Sequence, residues 1–386
     1  IVAGAGSGKT RTLTARLERF IGYGVRPERI LAITFTNKAA NEMRERITKN
    51  LQLTTNNNPK VISNKSSVVS QPFIGTFHAL GASILRREAE LLRRTNRFTI
   101  FDTDDTMRIL RRLEKESGGH EARRAGADAG RSIAKVKNRL LDPEEALDAH
   151  ALARYESYEE ALASMNAFDF DDLIEKVVRL FRSRPEVLRR YQDRWTHVLV
   201  DEYQDVNPAQ YELVRLLAAR HRNLSVVGDD AQAIYGWRYA DFKNFLNFES
   251  DWPGARVVKL EESYRSSGTI VEAASALIAE NRLQKPKSLW TKNPTGKPIA
   301  VTATGNPDHE ARFIAKSAGS LVARGERVAV LYRTNAQSRA IEQALITADI
   351  PYRIFGGVRF YERAEIKDLV SGVRLAVNPR DAAAKD

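Results

Sequence analysis

The chain reads as an α/β protein with parallel sheets, on three observations. Apolar, strand-like runs alternate with segments of helical period, the order that parallel sheets require. The first run, residues 1–3, passes at once into a glycine-rich loop and then a helix. Two later runs, 198–200 and 224–227, end in Asp201-Glu202 and Gly228-Asp229-Asp230, at the sheet edge where α/β folds bind ligands.

Taken in order, residues 1–3 predict a strand, 9 to about 21 a helix, 30–34 a strand and about 38–49 a helix. Residues 51–70, rich in Asn, Ser, Thr and Lys, read as an exposed loop or partly disordered insertion. A strand resumes at 73–76. From about 85 to 195 helical period dominates, with Ile109, Leu110 and Leu113 on one face and Asp102 to Asp105 as capping candidates. Within it, 118–130 reads as a loop, and Asp142-Pro143 opens another helix. The run Asp169-Phe170-Asp171-Asp172 reads as a helix cap without chemistry. This stretch is expected to be a helical domain inserted between two strands of the first sheet. After about 260 a second α/β unit is expected, with strands at 299–304, 328–333 and 352–355. Its helices are expected around Phe313 to Val322, stopped by Gly325, and at 338–348 and 364–377. The tail from Asn378 reads as trailing off without a cap. The glycine loop follows so closely on Ile1 that the first strand is expected to be cut short, and the chain to be a fragment.

Composition narrows the class of partner. Of 386 residues, 42% are hydrophobic and 28% charged, which fits a globular protein of two or three domains. Lysines and arginines number 61 against 49 acids, a net charge of +12, favouring a polyanionic partner. The absence of cysteine excludes disulfides and thiolate metal sites and fits a reducing, cytoplasmic setting. No apolar run approaches the ~18 residues that span a bilayer, and no signal peptide is evident.

Ala3-Gly4-Ala5-Gly6-Ser7-Gly8-Lys9-Thr10 is a phosphate-binding loop. Small residues let backbone N–H groups converge on phosphate, and the helix that follows presents its positive end. Lys9 supplies charge for the β- and γ-phosphates, and the Thr10 hydroxyl is a magnesium ligand. Ala3 stands where the strict pattern has glycine. Asp201 suits a second magnesium-binding acid, and Glu202 a carboxylate that orients or activates water. Two acids capping the next helix would look the same in isolation. In Gly228 to Arg238, the amide of Gln232 precedes Tyr235, Trp237 and Arg238, so a group suited to sensing phosphate adjoins rings suited to stacking on bases. An ordinary strand end followed by core aromatics is the competing reading.

Together these motifs resemble the UvrD/PcrA/Rep family of superfamily 1 DNA helicases. The resemblance rests on Val200 to Asn207, Gly228 to Arg238 and Leu260 to Ser267. It also rests on Thr34 to Ala40, Gly75 to Ala79, Gly356 to Phe360 and Glu365 to Asp368, all in family order. It implies two RecA-like motor domains of the P-loop NTPase class with ATP between them. The first would comprise 1–84 and 196–260, the helical insertion 85–195, and part of the second motor 261–386. By matched position, Lys9, Thr10, Asp201, Glu202, Gln232 and Arg265 would serve catalysis, Gln232 contacting the γ-phosphate and Arg265 acting as an arginine finger. Residues 3–10, with Ala3, Gly4, Ala5, Gly6, Ser7 and Gly8, would bind ATP together with Arg11 and an adenine-stacking Tyr264. Mg²⁺ would be held at Thr10 and Asp201.

The same resemblance assigns Phe35, Tyr235 and Trp237 to stacking on single-stranded bases, and Thr36, Asn37, Thr76, His78 and Arg238 to the DNA track. It implies 3′-to-5′ travel, single-strand/double-strand junctions as substrates, and work with repair or replication proteins. Tyr203, Ala231 and Tyr239 depart from commoner family residues, and the loop at 51–70 looks long. The family's later motifs are missing, so the chain alone is expected to unwind DNA poorly. A helicase-derived DNA-binding scaffold, a P-loop switch acting on a protein partner, and the helicase part of a helicase–nuclease are the competing functions.

Overall fold

The computed structural model describes residues 1–57, 71–116, 122–355, 364–381 and 383. Two compact units emerge, Ile1–Gly296 with Ser371–Asp386, and Lys297–Val370. In the first, β1 (Val2–Ala3), α1 (Lys9–Gly22), β2 (Ile30–Thr34), α2 (Asn37–Asn57), β3 (Phe73–Thr76) and α3 (Phe77–Glu88) precede a largely helical stretch. That stretch holds β4 (Thr99–Phe101), α4 (Thr103–Glu116), α5 (Ala122–Arg139), α6 (Pro143–Ala146), α7 (Ala149–Ser164), β5 (Ala167–Asp169), α8 (Asp172–Ser183) and α9 (Pro185–Arg194). The sheet resumes with β6 (His197–Val200), followed by α10 (Pro208–Ala218), β7 (Leu224–Val226), α11 (Lys243–Leu246), α12 (Phe248–Asp251), β8 (Lys259–Leu260) and α13 (Gly268–Ala279).

The main sheet runs β3-β2-β6-β7, every pair parallel. Strand β1 pairs in parallel with β8, and a Val2–Gly228 bridge joins that pair to the end of β7. Every residue of β2, Ile-Leu-Ala-Ile-Thr, is buried, as a strand covered on both faces must be. Leu13, Leu17, Ala40, Met43 and Ile47 of α1 and α2 cover one face. Leu80, Ile84, Val177, Phe181, Leu213 and Leu217 cover the other, so α3, α8 and α10 share the sheet's core. A separate core of Phe101, Ile109, Leu110, Ile133, Tyr158 and Leu162 belongs to the helical stretch. The parallel α/β class is therefore the one the sequence predicts.

Three local expectations need correction. Helix α2 continues to Asn57, since neither proline nor glycine interrupts it; the rest of the expected loop lies outside the described residues. Residues 122–130, expected as part of a loop, begin α5, while 118–121 lie outside the description. Gly126 and Gly130 serve packing: a Cβ on Gly130 would stand 3.3 Å from Leu110 Cδ1, and one on Gly126 3.4 Å from the Arg111 amide. Residues 378–381, expected to trail off, are instead held in place. The Asn378 amide donates to Met165 O (2.9 Å) and Asn166 O (3.1 Å), and Arg374 Nε pairs with Asp381 at 2.9 Å.

The acidic run does cap α8, with Asp169 Oδ1 accepting from the Asp172 amide at 2.7 Å. It also surrounds Lys137, whose side chain is fully buried. The ammonium lies 2.7 Å from Glu159, 2.8 Å from Asp169 and 2.7 Å from Asp172. Burial pulls the lysine pKa down, but the three carboxylates outweigh it and hold the pKa well above its usual value.

In the second unit, α14 (Pro307–Val322) starts at Asn306, whose side chain accepts from the His309 amide at 2.9 Å. It ends before Gly325, whose φ of 78° no branched side chain would adopt readily. Ala311 and Ala315 pack on Ile341 and Leu345 of α15 (Ser338–Thr347). The strands expected at 299–304, 328–333 and 352–355 do not form among the described residues. Val301, Leu331 and Phe355 stand 95%, 89% and 81% exposed, so strand propensity finds neither a ladder partner nor a covering layer. Helix α16 (Ala364–Val377) forms where expected, whereas 356–360 lie outside the described residues.

Candidate functional site

The phosphate loop leaves the sheet at the carboxyl end of β1, held between Gly228 and β8. The Ala3 amide donates to Gly228 O (2.9 Å) and the Gly4 amide to Leu260 O (3.0 Å). Gly6 and Gly8 take φ values of 74° and 85°, and Gly8 begins α1 with no side-chain cap, leaving the helix's positive end open to an anion. Ser7 Oγ folds the loop by donating to Gly4 O at 2.8 Å. Ala3 is fully buried, and Arg11 is exposed on the first turn of α1. The Tyr264 amide donates to Gly6 O at 3.0 Å, and a Cβ on Gly6 would come 2.6 Å from Arg265 Cβ. The structure thus brings Tyr264 and Arg265 beside the loop. Tyr264 is 68% exposed, and its hydroxyl donates to Glu262 at 2.9 Å.

Strand β6 delivers the acids. Lys9 Nζ lies 2.7 Å from Glu202 Oε2, and Thr10 Oγ1 donates to Asp201 Oδ2 at 2.8 Å. Glu202 adopts a left-handed backbone (φ 50°), a strained conformation for a non-glycine that turns its side chain back to the loop. Burial, and then the neighbouring Glu202, push the Asp201 carboxyl up to about 6, against the Thr10 hydrogen bond and the Lys9 charge. A negative charge there is costly without a nearby cation. The donors fit magnesium, for a hydroxyl and a carboxylate oxygen brought together are the hard oxygen ligands it takes. Among the described residues no cluster of three or more acids or histidines is placed to hold a metal ion, so such an ion would complete its shell with phosphate and water.

A residue given no role by the sequence reading binds the acids to the next strand end. Gln204, 1% exposed, donates through Nε2 to Glu202 Oε2 and Asp205 Oδ2, both at 3.0 Å, and accepts the Asp229 amide at 3.0 Å. Asp229 Oδ2 in turn accepts from Gln232 Nε2 at 2.6 Å. Lys287, also overlooked, lies 2.7 Å from Asp229 and 2.6 Å from Asp230. Its only sequence signal is an unremarked Lys-Pro-Lys before Leu289-Trp290.

The segment after Gln232 carries rings to the surface. Phe35 and Tyr235 lie 4.7 Å apart between centroids, and Tyr235 and Trp237 6.1 Å apart. Arg238 sits over Trp237 at 4.6 Å. Trp237 is 70% exposed, which excludes the core role weighed for it. Thr36 and Thr76 Oγ1 accept from the Ala39 and Ala79 amides (3.1 and 3.2 Å), capping α2 and α3, and each hydroxyl keeps a proton to donate. Asn37 is exposed at the start of α2. His78 meets the half-exposed Phe170 edge-on at 5.9 Å, so Phe170, read only as part of a cap, adjoins this face. Burial, then the charge of Arg238, lower the His78 pKa.

Comparison with known proteins agrees over the whole length. The UvrD/REP helicase N-terminal domain model matches residues 1–253, and the UvrD-like helicase C-terminal domain model residues 258–385. The ATP-dependent DNA helicase PcrA of Leuconostoc citreum is 42% identical over 400 residues, covering 100% of this chain and 51% of that protein. PcrA of Staphylococcus aureus strain Mu50 is 41% identical over 392 residues, covering 99% and 52%. The ATP-dependent DNA helicase UvrD1 of Mycobacterium bovis is 42% identical over 405 residues, covering 99% and 51%. The chain spans about half the length of the curated relatives it matches.

Proposed function

The chain belongs to the UvrD/REP helicase family, and from that premise we propose that it carries the ATP-hydrolysing and strand-gripping parts of a DNA helicase. The organisation we infer is a first RecA-like motor domain from 1–84 and 196–260, an insertion within 85–195, and part of a second motor from 261; the C-terminal family match begins at 258.

In this reading Lys9 and the open end of α1 bind the phosphates, and Glu202 orients the attacking water. Gln232 senses the γ-phosphate, Arg265 stabilises charge developing on it, and Tyr264 offers its exposed ring to adenine. Magnesium, held by Thr10 and Asp201, would supply neutralisation of phosphate charge. Phe35, Tyr235 and Trp237 stack on unpaired bases, while Thr36, Asn37, Thr76, His78 and Arg238 follow the backbone. The proposal includes 3′-to-5′ travel, action at single-strand/double-strand junctions, and work beside repair or replication proteins. No described helix is long and apolar enough to cross a membrane.

One observation supports the reading most. Gln232, bonded to Asp229, and Trp237, exposed beside Tyr235, share one short segment. A shift of the amide on nucleotide turnover would move the base-stacking ring. ATP hydrolysis measured with and without an unstructured oligonucleotide tests this. Strong stimulation is expected of the full-length protein, and a folded full-length sample without it would refute the motor function.

A further inference from the structure

We propose that Lys287 is a positioning residue for hydrolysis, fixing Gln232 through Asp229; the proposal rests on the reading of Gln232 as the γ-phosphate sensor. The Lys287 side chain is 3% exposed, and those of Asp229 and Asp230 are each 1% exposed. Two adjacent carboxylates buried together repel each other, and the ammonium between Asp229 Oδ1 (2.7 Å) and Asp230 Oδ1 (2.6 Å) compensates both. That contact, together with the Ala231 amide donating to the same Asp229 oxygen at 3.2 Å, fixes the rotation of the Asp229 carboxyl group. Its other oxygen, Oδ2, is thereby aimed at Gln232 Nε2, 2.6 Å away. A carboxylate only accepts, so the amide must present its NH₂ to Asp229 and turn its oxygen outward. The outward oxygen can accept a hydrogen bond, and the second N–H of the amide remains to donate to a γ-phosphate oxygen.

The strap that carries Lys287, residues 285–291, touches the nucleotide site elsewhere. The Lys285 amide donates to Asp230 Oδ2 at 3.0 Å, which sets the register of Lys287. Leu289 packs on Gly4 so closely that a Cβ there would overlap it. The Trp290 amide donates to Glu261 O (3.0 Å), the Ser263 amide to Trp290 O (2.8 Å), and Thr291 Oγ1 to Ser263 O (2.6 Å). The segment carrying Tyr264 and Arg265 is thus tied through the strap to Asp229. A movement of the arginine finger pulls on the lysine that holds the sensor glutamine.

The test is a double-mutant cycle in the full-length protein, read as steady-state ATP hydrolysis with single-stranded DNA. Misplacement of a reacting group by about 1 Å costs about 10²-fold, so Lys287→Gln is expected to lower kcat roughly 10–100-fold. KM for ATP should stay within about threefold, because the phosphate loop is untouched. In a Gln232→Ala background the same substitution should change kcat by no more than about twofold, since its effect passes through Gln232. Where Lys287→Gln does not fold, Lys287→Arg keeps the charge. Its forked head cannot place one nitrogen on both carboxylates, so a smaller loss with the same non-additivity is expected. Unchanged kcat, or losses that multiply across the two positions, would overturn the positioning role alone. An unsubstituted protein without DNA-stimulated turnover would overturn the helicase reading as well.

Discussion

Lys9 and Glu202 form an ion pair at 2.7 Å across 193 residues of chain, a glycine loop meeting the carboxyl end of a strand that does not pair with its own. The parallel sheet makes that meeting possible, because its strand ends collect at one edge. The lysine side chain is 10% exposed, so the pair is shielded yet open to a ligand that would compete for it.

Replacing Lys9 with alanine should lower ATP turnover by at least roughly 10²–10³-fold, the range for removing one donor to developing charge. Gln204 still donates to Glu202, so the fold should persist. Hydrolysis assays and circular dichroism on the same sample check both halves.

Trp237→Ala should barely alter stability, within about 0.5 kcal/mol, because the indole is exposed. Single-strand affinity should weaken by about 1–3 kcal/mol. Fluorescence anisotropy with a labelled oligonucleotide measures the second quantity, and nucleotide affinity should remain unchanged.

Gln204→Ala leaves the buried Asp229 amide without its acceptor, which should cost about 1–3 kcal/mol in urea unfolding. Turnover should fall too, since Gln204 joins the segment holding Glu202 to the one holding Gln232. Equal stability with full turnover would show the network to be dispensable.

His78 provides a pH dependence of stability. Its folded pKa is lowered by burial and by Arg238, so between that value and the unfolded value of about 6.5 the unfolded chain binds more protons. Its neutral form therefore contributes stability that is present above the unfolded pKa and lost as pH falls below it. Urea midpoints at pH 7.5 and 5.5 should differ less in His78→Asn than in the unsubstituted protein.

Local signals were legible where one segment decides its own state. The glycine loop, the buried run of β2 and the acids ending β6 all lie where their spacing puts them. Gly126 and Gly130 misled because glycine permits both a turn and a close helix crossing, and only the partner helix distinguishes them. The apolar runs around Val301 and Leu331 misled because strand formation is settled by neighbours, not by propensity. Gln204 stood inside a motif without a role of its own, and Lys287 left almost no trace. Their meaning comes from strand ends 25 and 57 residues distant.

The cation sealed among Glu159, Asp169 and Asp172 constrains how this region can diverge. Losing that lysine leaves Asp169 without its cation and Glu159 and Asp172 with Lys176 alone, and losing an acid leaves the lysine undercompensated, so any first step is penalised. A neutral replacement would have to arrive as several concerted changes, which makes the quartet a point where sequence drift stalls while the exposed helix faces around it remain free to vary.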